Sequence, residues 1–541
     1  SADGVTVEGF EVIGTGVSAI RISGARNNVT IQNNKAVAAT GKNALLMDGG
    51  QSNHTISGNT FEGAASQLVY VNGTASVNNA STNVDFIGNT FAGTATGPAL
   101  GMEANGSSIT NNIFSTPTSW TSIENFGADN AINFNQIVNP SENGLLSMVS
   151  VDAEDNWWGL TNGPKHVSNT FNVGSQGAVV SDNVDFVPWL NDGTDTDLIM
   201  PGFQPAGDTS FAPVTTNDSP TGKYSSIDTA VDAVTAGGIV SAVAGTYTEQ
   251  VSINHNLKLV GAGAETTIID GDDGDVLTID ADVTDLEISE FTITNGDKGI
   301  YAPNSFSSAM INIHDIVVTN NEGEGIYFNG ALESTLTFTN VTVTDNDDDG
   351  IYLSGDSASL SDTTVTITGG EISNNDGNGI YVNNLISGST LTIGGVMIGG
   401  DENGNGDNGI YVNNASNSTI NIQNENTISW NGGNGVYLCA EGQCYDTNIT
   451  IDNNDIKNNG EWGVNFYYIG VGEESATVDI SDNTIDSNDD GGIYIAGTGI
   501  MDNPDGTLEI MIDDNDITDN DGPGIWLGDV TGVAITNNFI S

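Results

Sequence analysis

Apolar and polar residues alternate along almost the whole chain, in short runs that end in Asn, Asp or Gly. In the second half these runs form a repeat: an alternating segment, an Asn, a second alternating segment, an Asn/Asp/Gly cluster, then Gly-Ile-Tyr. "LTFTNVTVTDNDDDGIY" and "VDISDNTIDSNDDGGIY" are two copies. The aliphatic residue of the last element recurs at Ile300, Ile326, Ile351, Ile380, Ile410, Val436, Val464, Ile493 and Ile525, a period of 25 to 32 residues. The first half keeps a looser rhythm, with Asn34, Asn59, Asn89, Asn112, Asn135 and Asn156 each closing a strand-like run. A two-residue period predicts strands, and little helical periodicity competes with it. Three short strands per repeat, separated by turn residues, describe one coil of a parallel solenoid.

A single coil cannot bury its Ile and Val. Coils stacked about 4.8 Å apart pair each strand with its equivalent in the next coil and make a continuous core. The corner Asn then plays a structural part, because it tolerates left-handed backbone and can ladder its amide along the stack. The repeat resembles the right-handed parallel β-helix of the pectate-lyase-like superfamily, over nearly the whole chain, and the hand of the coil is taken from that resemblance. "DNWWGLTNGP" followed by "GAVVSDNVDFVPWL" resembles a segment common in secreted and surface β-helix proteins of bacteria and archaea. "YSSIDTAVDAVTAGGIVSAVAGTYTEQVSINHNLKLVGAGAETTIIDG" resembles the start of a pectin-methylesterase-like helix. The expected fold is therefore all-β, a right-handed parallel β-helix in two tandem modules.

The first module is expected over residues 1–190, closing at Trp189. Residues 191–222, with Pro201, Pro205, Pro213 and Pro220, read as a linker. The second module, 223–541, opens with a short amphipathic helix whose Ile227, Ala230, Val231 and Val234 can cap the first coil. Neither end carries an obvious cap, and open coil ends are sheet edges. Either the sequence is cut from a longer protein or subunits associate head to tail.

Charge narrows the choice of partner. The chain has 71 acidic and 9 basic residues, a formal net charge of −62. Residues 223–541 hold 51 of the acids and only Lys223, Lys258, Lys298 and Lys457. Such a surface cannot neutralise phosphates, which excludes nucleic acid and anionic lipid headgroups; cations are the natural partners. No apolar run is long enough to span a membrane. The two cysteines, Cys439 and Cys444, are either a short-loop disulfide of an oxidising compartment or two free thiols.

Uronate lyases on this fold need a Lys or Arg base and cationic groups around the substrate carboxylate. A second module with no arginine and four scattered lysines is poorly equipped for that. In the first module Arg21, Arg26, Lys35 and Lys42 cluster in sequence, without evident acids to converge on. The "GHG" and "RIK" motifs of polygalacturonase-like hydrolases are absent, and no methylesterase motif follows Gly271. His54, His166, His255 and His314 share no spacing and read as surface or corner residues. No residue is assigned a catalytic role.

Two features remain. The first is the acidic turn: Glu322, Glu324, Asp347, Asp348, Asp349, Asp376, Asp407, Asp489, Asp490, Asp519 and Asp521, which stacking brings to one edge. Such a column favours bound cations and its hard oxygen ligands suit Ca²⁺; general acidity suited to a saline habitat explains it as well. The second is an outward aromatic column, Tyr301, Tyr327, Tyr352, Tyr381, Tyr411, Tyr437, Tyr494 and Trp526, broken at Asn465. It can contact carbohydrate or a neighbouring subunit, or simply stiffen the sheet. The expectation is a non-catalytic extracellular or cell-surface protein, structural or adhesive, with Ca²⁺ and self-association into a filament as possible attributes. The alternatives are a polysaccharide lyase or glycoside hydrolase, and a carbohydrate-binding module using the tyrosines.

Overall fold

In the computed structural model, residues 3–73, 80–115, 120–138, 143–172, 177–207, 210–354, 358–400, 403–440, 444–472, 474–497 and 507–541 are described. The chain divides into two compact units: residues 1–213 with 223–226, and residues 214–222 with 227–541. Both are parallel β-helices, built of strands paired with the equivalent strand one coil away.

In the first unit each coil contributes a strand to each of three parallel sheets. Thr30–Gln32, Lys35–Ala38 and Asn43–Met47 are one such coil, paired with Gln51–Ser57, Thr60–Ala65 and Val69–Val71 of the next. Alternation sends Ile31, Ala36, Leu45, Ile56, Phe61 and Val69 inward, where they are fully buried. Phe61, Phe91 and Phe114 follow one another up the core, with ring centroids 5.3 and 4.4 Å apart.

The second unit repeats the plan more regularly. Thr335–Thr344, Thr364–Ser373 and their successors form one face, and Ile326–Phe328, Ile351–Leu353, Ile380–Ile386 and Ile410–Ser416 form another in register. The expected helix is present as Ile227–Ala233, with Ile227, Ala230, Val231 and Val234 buried. Glu249 fixes its start by accepting hydrogen bonds from the Ile227 and Asp228 backbone N–H groups, at 2.8 and 2.9 Å. A carboxylate there also complements the partial positive charge of the helix N-terminus.

Amide ladders bind the coils together. Asn34, Asn59, Asn89, Asn112, Asn135 and Asn156 each donate the side-chain Nδ2 to the Oδ1 of the next, at 2.9–3.1 Å. Each backbone N–H reaches the same oxygen. A second ladder runs from Asn321 through Asn346, Asn375, Asn405, Asn431, Asn459 and Asn488 to Asn520. One detail corrects the sequence reading: the ladder Asn does not itself adopt the left-handed conformation. The residue before it does, as at Asn33, Gly58, Gly88, Asn111, Phe134 and Asp155, with φ of 53–65°. Turning the chain and bonding the coils are divided between consecutive residues, which is why Gly, Asp and even Phe can precede a ladder residue that is always Asn.

Two other expectations change. Residues 191–213 are not a spacer: Trp189–Leu190 pairs antiparallel with Ser210–Phe211, and Phe203 is buried with its N–H bonded to the Asn111 carbonyl at 2.7 Å. Apolar Phe203 and Phe211 outweigh the prolines that suggested a linker. His54 is a buried residue of the first unit, not a surface one, with Nδ1 accepting from the Val29 N–H at 2.9 Å. Burial lowers its pKa, in the same sense as an Nδ1 that accepts a hydrogen bond.

Candidate functional site

Stacking brings the acidic turns of the second unit to one corner but sorts them into parallel columns. Counting back from the Gly-Ile-Tyr aliphatic residue, the fourth position holds Glu322, Asp347, Asp376, Asp489 and Asp521, with Gly406, Gly432 and Gly460 in the coils between. The third position holds Asp348, Asp407 and Asp490. All of these acids are exposed. Asp519 has a separate explanation: it is the left-handed residue, φ 52°, that precedes ladder residue Asn520. Among the described residues no group of three or more His, Cys, Asp or Glu side chains is arranged to hold a metal ion.

The second position is a ladder of another kind. Asn434 donates to Asn408, Asn408 to Asn378, and Asn378 to Asp349, each at 2.9 Å. Asp349 is the terminal acceptor, 6% exposed, and also takes the Asn378 N–H at 2.6 Å. One coil earlier the position is Glu324, and before that Lys298, whose ammonium pairs with Glu324. Burial, opposed by the two Asn378 hydrogen bonds and aided by the charges of Asp348 and Glu324, pushes the Asp349 pKa up to about 7. Partial desolvation and then Glu324 raise Asp348 as well. Burial opposes the charge on Lys298, but its bond to Glu324 and the charges of Asp297 and Asp275 hold its pKa above the ordinary value.

The tyrosines stand in register, Tyr301 opposite Tyr327, then Tyr352, Tyr381, Tyr411 and Tyr437. From Tyr327 to Tyr411 the rings stack at 4.7–4.9 Å with interplanar angles of 2–15°. Each ring face covers its neighbour, so this stretch presents edges to solvent. Lys298 lies 5.8 and 5.5 Å from the Tyr301 and Tyr327 centroids, within cation–π range. Asn465 replaces tyrosine opposite Tyr437 and folds back to donate to Asn434 at 3.0 Å. Tyr494 and Trp526 stack beyond it at 4.3 Å. Cys439 and Cys444 are joined in a disulfide.

The first unit carries a different cluster, which the sequence reading missed. On the sheet containing Val69–Val71, Leu100–Met102, Thr121–Asn125 and Asn143–Ser147, register puts Leu46, Tyr70, Gly101, Glu124 and Leu146 in one outward column. Two residues along, Glu103, Phe126 and Met148 succeed one another on neighbouring coils. Tyr70 donates its hydroxyl to Glu103 Oε1 at 2.5 Å, and the Gly73 N–H reaches Oε2 at 2.8 Å. Burial first, then the Glu103 bond, raises the Tyr70 pKa and keeps it a donor. Gly101 makes room for the ring, since a Cβ there would meet Tyr70 Cδ2 at 2.9 Å. Trp120 donates Nε1–H to Glu124 Oε1 at 3.3 Å. Trp120, Phe126 and Met148 are 49%, 42% and 55% exposed. Aromatic faces and carboxylates thus share one sheet surface. Nearby, Arg21 and Lys35 do find acids, contrary to the reading of an acid-free face: Arg21 pairs with Asp48 at 3.1 Å, and Lys35 with Glu62 at 3.1 Å and Glu11 at 3.7 Å. These acids lie 24 to 27 residues away in sequence, one coil distant.

The model of the right handed beta helix region matches residues 263–398, 333–503 and 468–541, together just over half of the chain. The chain belongs to that family. No curated protein sequence matches it. Among solved structures it is similar to the A-module of the Azotobacter vinelandii mannuronan C-5 epimerase AlgE6, at 17% identity and a TM-score of 0.34 over 58% of this chain and 94% of that one. It is also similar to the catalytic domain of a GH87 alpha-1,3-glucanase solved with tetrasaccharides, at 13% identity and 0.31, over 58% and 67%. The PL6 family alginate lyase AlyGC is similar at 9% identity and 0.26, over 100% and 96%. At these values the similarity extends no further than the fold. Among the described residues no helix is long and apolar enough to cross a membrane.

Proposed function

We propose that the protein is an extracellular polysaccharide-binding β-helix whose glycan contact is the outward face of the first unit. The observation that supports this is the cluster of Trp120, Phe126 and Tyr70 with Glu124 and Glu103 on one parallel sheet. A pyranose ring offers a C–H face that stacks on an aromatic ring and hydroxyls that donate to a carboxylate. Both needs are met within two or three coils. Glu103 is engaged at both oxygens and serves to fix Tyr70, so the arrangement suits holding a sugar chain more than breaking one. A location outside the cell is supported by the Cys439–Cys444 disulfide, a bond that persists in oxidising compartments. Ca²⁺ and other cations are proposed to screen the acidic corner columns diffusely, because glycines interrupt the first of them.

Affinity electrophoresis against soluble polysaccharides tests the reading. Retardation by at least one glycan, lost in Trp120→Ala and weakened in Glu124→Gln, is the expected result. Binding that survives both substitutions would move the site elsewhere, and new reducing ends would replace binding with hydrolysis.

A second reading, a rigid structural or adhesive element able to self-associate, is supported by the unbroken amide ladders of the second unit. Electron microscopy of the native material, with filaments as the expected outcome of that reading, distinguishes the two.

A further inference from the structure

We propose that the glycan taken by the first unit's face is uncharged along its backbone, not a polyuronate or a sulfated chain. This rests on the reading of that face as a polysaccharide site and adds the chemical class of its ligand. A polyanionic chain brings a negative charge with every sugar or every second one, and a site for it must answer with cations. Here the groups hydrogen-bonded to the aromatic side chains are Glu103, at Tyr70, and Glu124, at Trp120, and neither is paired with Lys or Arg. Arg21, in the same column two coils before Tyr70, is already held by both oxygens of Asp48 at 3.1 Å. Lys35, on the neighbouring sheet, lies between Glu11 and Glu62.

Lys258, Lys298 and Lys457 are each paired with a carboxylate, so five of the nine Lys and Arg side chains are committed to ion pairs. With a net charge of −62, the long-range field also slows the approach of any polyanion. Glu124, which receives only the Trp120 N–H, is instead suited to accept from neutral hydroxyls, and a charged acceptor makes the stronger hydrogen bond. The aromatic ring faces carry partial negative charge and stack on the C–H face of a sugar, so they add nothing that favours an anion.

Pairs of polysaccharides that share a backbone and differ in the charge of their substituents provide the test: hydroxyethyl against carboxymethyl cellulose, methyl-esterified against de-esterified homogalacturonan, and propylene-glycol alginate against alginate. Binding of the whole protein is measured at about 10 mM and about 1 M salt, where the screening length falls from roughly 30 to 3 Å. The expected result is that, for whichever backbone binds, the neutral member binds about tenfold or more tightly than its anionic partner at low salt. The gap narrows at high salt and in a Glu103→Gln/Glu124→Gln double variant. Equal or tighter binding of the anionic member, abolished by Trp120→Ala, would overturn the charge inference while leaving the site in place. Neutral-glycan binding unaffected by Trp120→Ala would instead remove the site, and failure of every pair to bind would remove both.

Discussion

In the second unit one ring type occupies one outward position through six consecutive coils, Tyr301 to Tyr437. The outward column of the first unit reads Leu46, Tyr70, Gly101, Glu124 and Leu146. Identical side chains in register satisfy one another: tyrosines cover tyrosines, and amides bond amides. A mixed column cannot do this, and beside it Trp120 and Phe126 stay 49% and 42% exposed. Regularity in a solenoid therefore marks the part that holds itself together, and irregularity marks the part able to hold something else.

The largest expected effect concerns Asp349, the buried acid that ends an amide ladder as its acceptor. Asp349 has a folded pKa near 7 against an ordinary value of 3.8. Between these values the folded state binds the extra proton, so the contribution of Asp349 to stability is greatest below about pH 4 and falls as pH rises to about 7, with a cost of up to roughly 4 kcal/mol above it. Asp349→Asn keeps an acceptor for Asn378 and removes the charge. Denaturant unfolding at pH 8 should show the variant more stable than the parent, and the decline between pH 4 and 7 should flatten.

A second comparison asks whether the ladders are equally important in both units. Asn431→Leu removes the oxygen that accepts from the Asn405 backbone and side-chain N–H groups and leaves Asn459 Oδ1 with one donor fewer, and Asn112→Leu does the same to Asn89 and Asn135. Each should cost about 3 kcal/mol in urea unfolding, as buried donors and acceptors lose their partners. A cost confined to one unit would show that the ladders differ in kind.

The third comparison separates stiffening from binding. Tyr381→Ala loses two stacked neighbours and should lose about 1–2 kcal/mol with glycan affinity unchanged. Trp120→Ala should change stability by less than about 0.5 kcal/mol while weakening binding about tenfold. The smallest effect is expected from a chelator: with cations acting as a screen, the unfolding midpoint at about 0.15 M salt should stay within about a degree or two.

Much of the fold was legible because the period, the inward aliphatics and the ladder residues all recur at fixed places in the repeat. Asn34 to Asn156 were identifiable from their position after each strand run, and the capping helix from Ile227, Ala230 and Val231. The first unit's face was not legible. Its ladder spacing varies from 21 to 30 residues, so the register that sets Glu103 beside Tyr70 and Gly101 opposite Glu124 cannot be counted from sequence. The same irregularity hid the acids that meet Arg21 and Lys35. Residues 191–213 were misread because prolines dominate that stretch, while the burial of Phe203 depends on Asn111, more than ninety residues away.

The amide ladders also bear on how such a chain can change its length. Within a ladder each Asn donates to one neighbour and accepts from the other, so a new coil inserted between two Asn rungs inherits a donor on one side and an acceptor on the other. A duplicated segment of 21 to 32 residues restores the pattern, whereas a shorter insertion must be accommodated in a loop. Growth and shrinkage of the molecule are thus quantised by the rung, and whole-coil duplication is the step least opposed by the fold.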